Sequence, residues 1–354
     1  MRETKMENGK IQLLDCTLRD GGQGLEAAYR TEGSKTVFTE QMINDIVDHL
    51  SRTDIEIVEL GYIEKSHFAN HPFANHFSVE EVSKFIPKTP NKKQMYIALF
   101  TGPDMDEGQI PEWNPSLIEG VRVILRYSEL EKSLDYCEML ARKGYKTFVQ
   151  PMLTMRYTKE ELKMVIDRAN KMGAYALYFV DSFGYMQTTD VERLFSFIDK
   201  YLSPEIRIGF HAHNNMDLAF SNVQHFLKIH GDRNIIIDSC AIGMGQGAGN
   251  MQTELILPHL NTKYEKKYCY DELLEVCELV EKLTPVSQWG YSVSRALPAI
   301  YGVAYKYAVV MRSQMGFSYS QINHVLKSLP DDLKHRYRSE EHTSELQSPY
   351  DLVC

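Results

Sequence analysis

Lys146-Thr-Phe-Val-Gln150, Thr158-Lys-Glu-Glu161, Met172-Gly173 and Ala174-Tyr-Ala-Leu-Tyr-Phe-Val180 follow one another in a single stretch, and that stretch decides the fold. The first run is rich in residues that suit a pleated, buried strand. Thr158 and Glu161 have the spacing of a capping box, so a helix is expected to start there and to close at Gly173. The second apolar run predicts another strand, ending in Asp181-Ser182-Phe183-Gly184. A strand, a capped helix and a strand in immediate succession place the two strands parallel, because only a crossover needs the helix.

The unit repeats in both directions. Upstream, strands are expected at Ile11–Asp15, at Ile55–Leu60 (stopped by Gly61), at Met95–Phe100 and at Val121–Arg126. Helices are expected from Thr39, from Ser78 and from Ser128 to Arg142. Downstream, Thr189 and Glu192 predict a helix start, and Ile206-Arg-Ile208 runs into Gly209-Phe-His211-Ala-His213-Asn-Asn215. A helix from Met216 to His230 follows, and Asn234–Cys240 is the last strand. Eight strands within roughly 250 residues predict an α/β fold, a (β/α)8 TIM barrel over residues 11–263, after a tail at 1–10. An open doubly wound sheet usually has fewer strands. Residues 264–337 read as a small helical appendage with helices at 270–283, 296–315 and 318–329. The Tyr-rich face of the middle one suits a core or a dimer surface. Arg338-Ser-Glu-Glu-His-Thr-Ser-Glu-Leu-Gln-Ser-Pro349 matches one reading frame of a common sequencing adapter, so residues 338–354 are expected to be a sequencing artefact.

The totals narrow the function. With 43% hydrophobic and 25% charged residues the chain is of globular type, and a net charge of −9 with no basic block argues against nucleic-acid or anionic-membrane binding. No apolar run reaches the length of a membrane span, and Met1-Arg-Glu-Thr-Lys5 does not resemble a signal peptide. The six cysteines are scattered without a C-x-x-C pair. They read as reduced thiols, which fits a cytoplasmic protein.

His211 and His213, two apart on a strand, present two imidazoles to one side. Barrel active sites lie at the C-terminal ends of the strands, where Asp20 follows the first strand and Asn250 follows the eighth. Around a closed barrel the seventh, eighth and first strands are neighbours. Asp20, His211, His213 and Asn250 are therefore expected to hold a divalent ion, Mn²⁺ or Mg²⁺ with Zn²⁺ as the alternative. Open positions would take a carboxylate and an adjacent carbonyl, and the ion would stabilise an enolate with Arg19 on the same oxyanion. Glu59, Ser182 and the loop glycines Gly245 and Gly247 are candidate substrate contacts. Gly243-x-Gly245-x-x-Ala248 follows the last strand rather than the first, which argues against a dinucleotide site. His67, His71 and His76 read as surface histidines of a mobile lid, with a second metal site as the alternative.

Leu14-Asp-Cys-Thr-Leu-Arg-Asp-Gly-Gly-Gln23, Phe210-His-Ala-His-Asn214 and Gly243-Met-Gly-Gln-Gly-Ala-Gly-Asn250 resemble three motifs of the metal-dependent lyase superfamily. That superfamily includes 4-hydroxy-2-oxovalerate aldolases, hydroxymethylglutaryl-CoA lyases and the isopropylmalate and homocitrate synthases. The last loop and the Tyr-rich helix are most similar to the oxovalerate aldolases. The resemblance implies a barrel that cleaves or forms a carbon–carbon bond of a 2-oxo acid through a metal-stabilised pyruvate enolate, with Asp20, His211 and His213 as ligands. Gln23 departs from the aldolases, which carry a histidine there, and is similar to the lyase and synthase branches. Since an amide cannot titrate, the expected proton carrier is a metal-bound water or a tyrosine of the appended helices, Tyr301 or Tyr305. The alternatives are a Claisen-type synthase joining an acyl-CoA to a 2-oxo acid, and a partner-dependent subunit of a bifunctional complex. In the latter, the C-terminal helices would dock a dehydrogenase, or a second copy in a homo-oligomer.

Overall fold

Eight parallel strands close on themselves. The computed structural model describes residues 10–65, 68–283, 289–335 and 337. The barrel strands are β1 (Ile11–Asp15), β2 (Ile57–Ile63), β4 (Met95–Phe100), β5 (Gly120–Leu125), β6 (Lys146–Pro151), β7 (Ala176–Asp181), β8 (Arg207–Ala212) and β9 (Ile235–Ser239). Each pairs with its neighbours in that order, and the pairing of Leu14 with Ile57 and Asp15 with Val58 joins β1 to β2 and completes the (β/α)8 barrel. A two-residue strand, β3 (Asn75–His76), pairs with Tyr62 and Ile63 of β2. The helices are α1 (Thr17–Glu32), α2 (Glu40–Ser51), α3 (Val79–Ser83), α4 (Leu130–Arg142), α5 (Lys159–Met172), α6 (Thr188–Tyr201), α7 (Ala219–Ile229), α8 (Thr253–Lys263), α9 (Tyr270–Glu281), α10 (Val293–Ile300), α11 (Lys306–Ser313) and α12 (Tyr319–Ser328). The β4–β5 connection holds a single 3₁₀ turn, Glu107–Gln109. Among the described residues no helix is long and apolar enough to cross a membrane.

Several elements depart from the sequence reading for identifiable reasons. α1 begins directly after β1, in a segment whose glycines depress helix propensity. The glycines are there for contact: a Cβ on Gly22 would lie 1.9 Å from the carbonyl oxygen of Phe73. Gly22→Ala, which intrinsic propensity alone would favour by about 1 kcal/mol, is therefore expected to lower stability by about 1–3 kcal/mol in urea unfolding. β2 does not stop at Gly61. It continues to Ile63 through a register shift between Glu59 and Tyr62, with Gly61 at φ 145°. The α6 capping box is Gln187 with Asp190 rather than Thr189 with Glu192. The helix expected at 296–315 is two helices, because Gly302 turns left-handed at φ 62° between them.

α9 packs into the main barrel core through Leu273, Val276 and Val280. A second apolar cluster forms beyond it from Val303, Tyr307, Met311, Ile322, Val325 and Leu326. The adapter-like segment from Arg338 and the residues before Lys10 lie outside the described residues.

Candidate metal centre and active site

The site is assembled where β1, β8 and β9 end. Asp20 is in the first turn of α1, and His211 and His213 are at the end of β8. Asn250 is drawn beside them because the loop after β9 runs back along β8: His213 bridges to Asn250, and Asn214 N–H donates to Gly249. Only a glycine at 245 permits this, since a Cβ there would sit 2.1 Å from the Asn250 amide nitrogen.

The two imidazoles are oriented by their other nitrogens. His213 Nδ1 donates to the carbonyl of Asp181 at 2.9 Å, which leaves Nε2 with its lone pair. His211 Nδ1 lies 2.8 Å from Asp238 Oδ2. Both Nε2 atoms then converge on one oxygen, Asp20 Oδ2, at 2.9 Å for His211 and 3.8 Å for His213. Burial lowers the His213 pKa, helped by His211, to about 4, so the ring is neutral. Burial also acts to lower His211, but its bonds to Asp20 and Asp238 outweigh this and hold it well above the ordinary value. Burial pushes the Asp20 carboxyl up, yet Arg19 and His211 hold it well below the carboxylate range. One carboxylate and two imidazoles with tied second nitrogens form a donor set that fits a divalent cation, while Asn250 donates its amide N–H to Asp20 Oδ2 at 2.9 Å and keeps its Oδ1 buried without a partner. Cys16, beneath Asp20 and His211, brings a thiol within 4.8 Å of both. Its Sγ is 3.2 Å from that of Cys240, and the described cysteines are all free thiols.

The ligands rest on a buried ring of alternating charge. Arg19 Nε donates to Glu59 at 2.7 Å, and Glu59 faces Arg122 Nε at 3.1 Å. Arg122 pairs with Asp238 at 2.5 Å, Asp238 holds His211, His211 meets Asp20, and Asp20 returns to Arg19 at 3.2 Å. Arg122 also donates to Gln150 at 2.8 Å and stacks on the ring of Tyr178. Nothing in the local sequence links Arg122, Gln150 and Asp238. They meet because inward-facing positions of separate strands share the barrel interior.

Above the ring is a cavity of about 360 Å³. Arg19, Asp20, Gln23, Ser182, His211, His213 and Tyr305 line it, joined by Gln150, Gln246 and His335, which the sequence reading had not singled out. Other candidates lie elsewhere. Glu59 is buried between two arginines, and Gly245 and Gly247 shape the loop while Gln246 between them faces the cavity. Tyr301 is withdrawn into the second apolar cluster, its hydroxyl donating to Asn323 at 2.8 Å, because the break at Gly302 turns it away from Tyr305. Tyr305 does not acquire an easily ionised phenol in the metal-free chain. Burial pushes it up to about 12. Gln23 accepts from Arg19 at 3.3 Å, and Ser182 accepts from Leu153 N–H at 2.8 Å.

Residues 124–281 match the HMGL-like family model, a span that includes His211, His213 and Asn250. A 4-hydroxy-2-oxovalerate aldolase of Comamonas testosteroni is 26% identical over 255 residues, 71% of this chain and 69% of the relative. One from Thermomicrobium roseum is 28% identical over 249 residues, 69% and 65% of the two. The fold is shared with the N-terminal domain of a putative aldolase from Bacteroides vulgatus, at TM-score 0.69, 21% identity, and 90% and 100% coverage. It is also shared with a hydroxymethylglutaryl-CoA lyase from Brucella melitensis, at TM-score 0.60, 15% identity, and 77% and 98% coverage.

Proposed function

We propose that the chain is a divalent-metal-dependent carbon–carbon lyase of the aldolase type, acting on a 4-hydroxy-2-oxo acid. The observation that carries this is the convergence of both histidine Nε2 atoms on Asp20 beside the Arg19 guanidinium, at the floor of a cavity sized for a small acid. The relatives named as aldolases support the same reading, and neither they nor the family match favours the synthase or partner-dependent alternatives. Asp20, His211 and His213 would hold the ion, with Asn250 Oδ1 as a further donor. The two oxygens of a bound 2-oxo acid would give this ion an oxygen-rich shell, which favours Mn²⁺ or Mg²⁺ over Zn²⁺. When bound, the ion supplies Lewis-acid polarisation of the 2-oxo group.

The chain's own residues do the rest. The Arg19 NH2 group is buried without a partner and faces the cavity as a donor for the developing oxyanion. Two cavity groups have pKa values pushed to opposite sides of neutrality, the usual mark of a donor and an acceptor. Tyr305, at about 12, stays protonated and donates. His335, lowered by burial to about 4, is neutral, and its Nδ1 is buried without a partner. In the cleavage direction the His335 imidazole takes the proton of the 4-hydroxyl as the C3–C4 bond breaks and the aldehyde leaves. The electron pair passes to the enolate held by Arg19, and the same proton is returned to C3 to give the shorter 2-oxo acid.

Purified protein with Mn²⁺ should release pyruvate from 4-hydroxy-2-oxo acids; release of CoA from acetyl-CoA and a 2-oxo acid, without pyruvate formation, would replace this reading with the synthase. His335→Gln is expected to lower kcat about 10²-fold with little change in KM, and Tyr305→Phe by a similar factor. Gln23→His is expected to raise retro-aldol turnover by restoring a titratable group beside Arg19. A partner remains part of the proposal: Tyr291, Val293 and Ile300 are exposed at and beside α10, a surface suited to a dehydrogenase or a second copy.

A further inference from the structure

His71 and His76, beyond β2, do not form a surface lid. His76 is fully buried and His71 half-buried, while His67 lies outside the described residues. We propose that His71, His76 and Glu81 form a second, structural zinc site, separate from the barrel rim. Ligand atoms of the three residues all lie within 4.8 Å of one another.

The tautomer of His71 is fixed by its surroundings. Its Nδ1 is 2.9 Å from the carbonyl oxygen of Asn75, which can only accept, so Nδ1 carries the hydrogen and Nε2 of the neutral ring has the lone pair. That is the orientation a metal-binding histidine usually receives from a backbone carbonyl. Nε2 lies 3.7 Å from Glu81 Oε1. Donor atoms of one tetrahedral ion with bonds of about 2.0–2.2 Å are about 3.3–3.5 Å apart, so this pair is close to the required spacing. The other oxygen of Glu81 accepts from Phe77 N–H, which fixes the carboxylate in place. His71 and His76 pack with ring centroids 4.9 Å apart. Two imidazoles, one carboxylate and a water suit Zn²⁺ better than Mg²⁺ or Ca²⁺, which prefer all-oxygen shells.

The segment also has reason to be held. Asn70, His71 and Ala74 take left-handed φ values of 66°, 51° and 52°, each costing of order 1 kcal/mol in a non-glycine residue. The loop they shape presses the Phe73 carbonyl onto Gly22 of α1, and Pro72 accepts from Phe38 N–H at 2.7 Å. An ion joining the loop to Glu81 of α3 would brace the helix that carries Arg19, Asp20 and Gln23.

The test is independent of the reaction. Full-length protein is loaded with Zn²⁺, desalted and analysed for bound metal. The Asp20→Ala/His211→Ala variant, which lacks the rim ligands, should keep about one equivalent of zinc and melt higher with Zn²⁺ than after chelation. Adding Glu81→Gln to that variant should weaken zinc binding at least about tenfold, and adding His71→Ala should remove it. His71 and Glu81 are partly exposed, so these changes spare the buried His76, and circular dichroism confirms folding. A rim-deficient protein that retains no zinc overturns the proposal, as does zinc that survives both additional substitutions.

Discussion

His211→Ala should remove the divalent ion from the barrel rim and lower turnover at least about 10³-fold while the barrel stays folded. The imidazole carries one of the two Nε2 atoms directed at Asp20 among the described residues, and a Lewis acid at such a site is worth several kcal/mol in the transition state. Asp238, which loses a partner, keeps Arg122, so no buried carboxylate is left alone. Asp20→Asn should act the same way, because it keeps the shape of the side chain and deletes the charge. Titration calorimetry with Mn²⁺, turnover and a thermal melt together check the expectation. Loss of the ion without loss of turnover would refute a metal-dependent reaction.

Arg122→Met should have the largest effect on stability, about 3–5 kcal/mol in urea unfolding, although the residue lies outside the cavity lining. Its guanidinium separates Glu59 from Asp238, and both carboxylates are buried. Removing it leaves Glu59 with Arg19 and Asp238 with His211, and the barrel interior one positive charge short. Burial alone raises the Asp238 pKa; Arg122, with His211, brings it down to about 2. Without Arg122 it should move upward, and with it the hydrogen bond that orients His211. Adding Glu59→Gln and Asp238→Asn should restore part of the lost stability, since the penalty arises from unpaired charge rather than lost volume.

Much of the scaffold was legible because its signals are local. Capping residues mark α5, β-branched runs mark β8 and β9, and an i, i+2 histidine pair declares its own side of a strand. α1 was not legible, because Gly21, Gly22 and Gly24 answer to close contacts with the Met244 side chain and the Phe73 and Gly245 carbonyls rather than to helix propensity. Arg122 and Asp238 carry no motif, and their meeting depends on the closure of β1 onto β2. Tyr301 and Tyr305 looked equivalent at a spacing of four on one helix. A left-handed Gly302 sent one to a packed interior and the other to the cavity. His335 gave no local signal, and only the return of the chain after α12 brings it over the barrel.

The cavity is bounded by two bodies of different construction. Its floor, with the proposed cation donors, is part of the barrel core, while Tyr305, His335 and Tyr337 come from segments organised by the second apolar cluster. The HMGL-like match ends at residue 281, before that cluster begins. Substitutions in the upper body can therefore reshape what the floor is given to work on without disturbing a single ion pair beneath. Inheritance can act on the two separately: what holds a cation travels with the barrel, and what moves a proton travels with the cap.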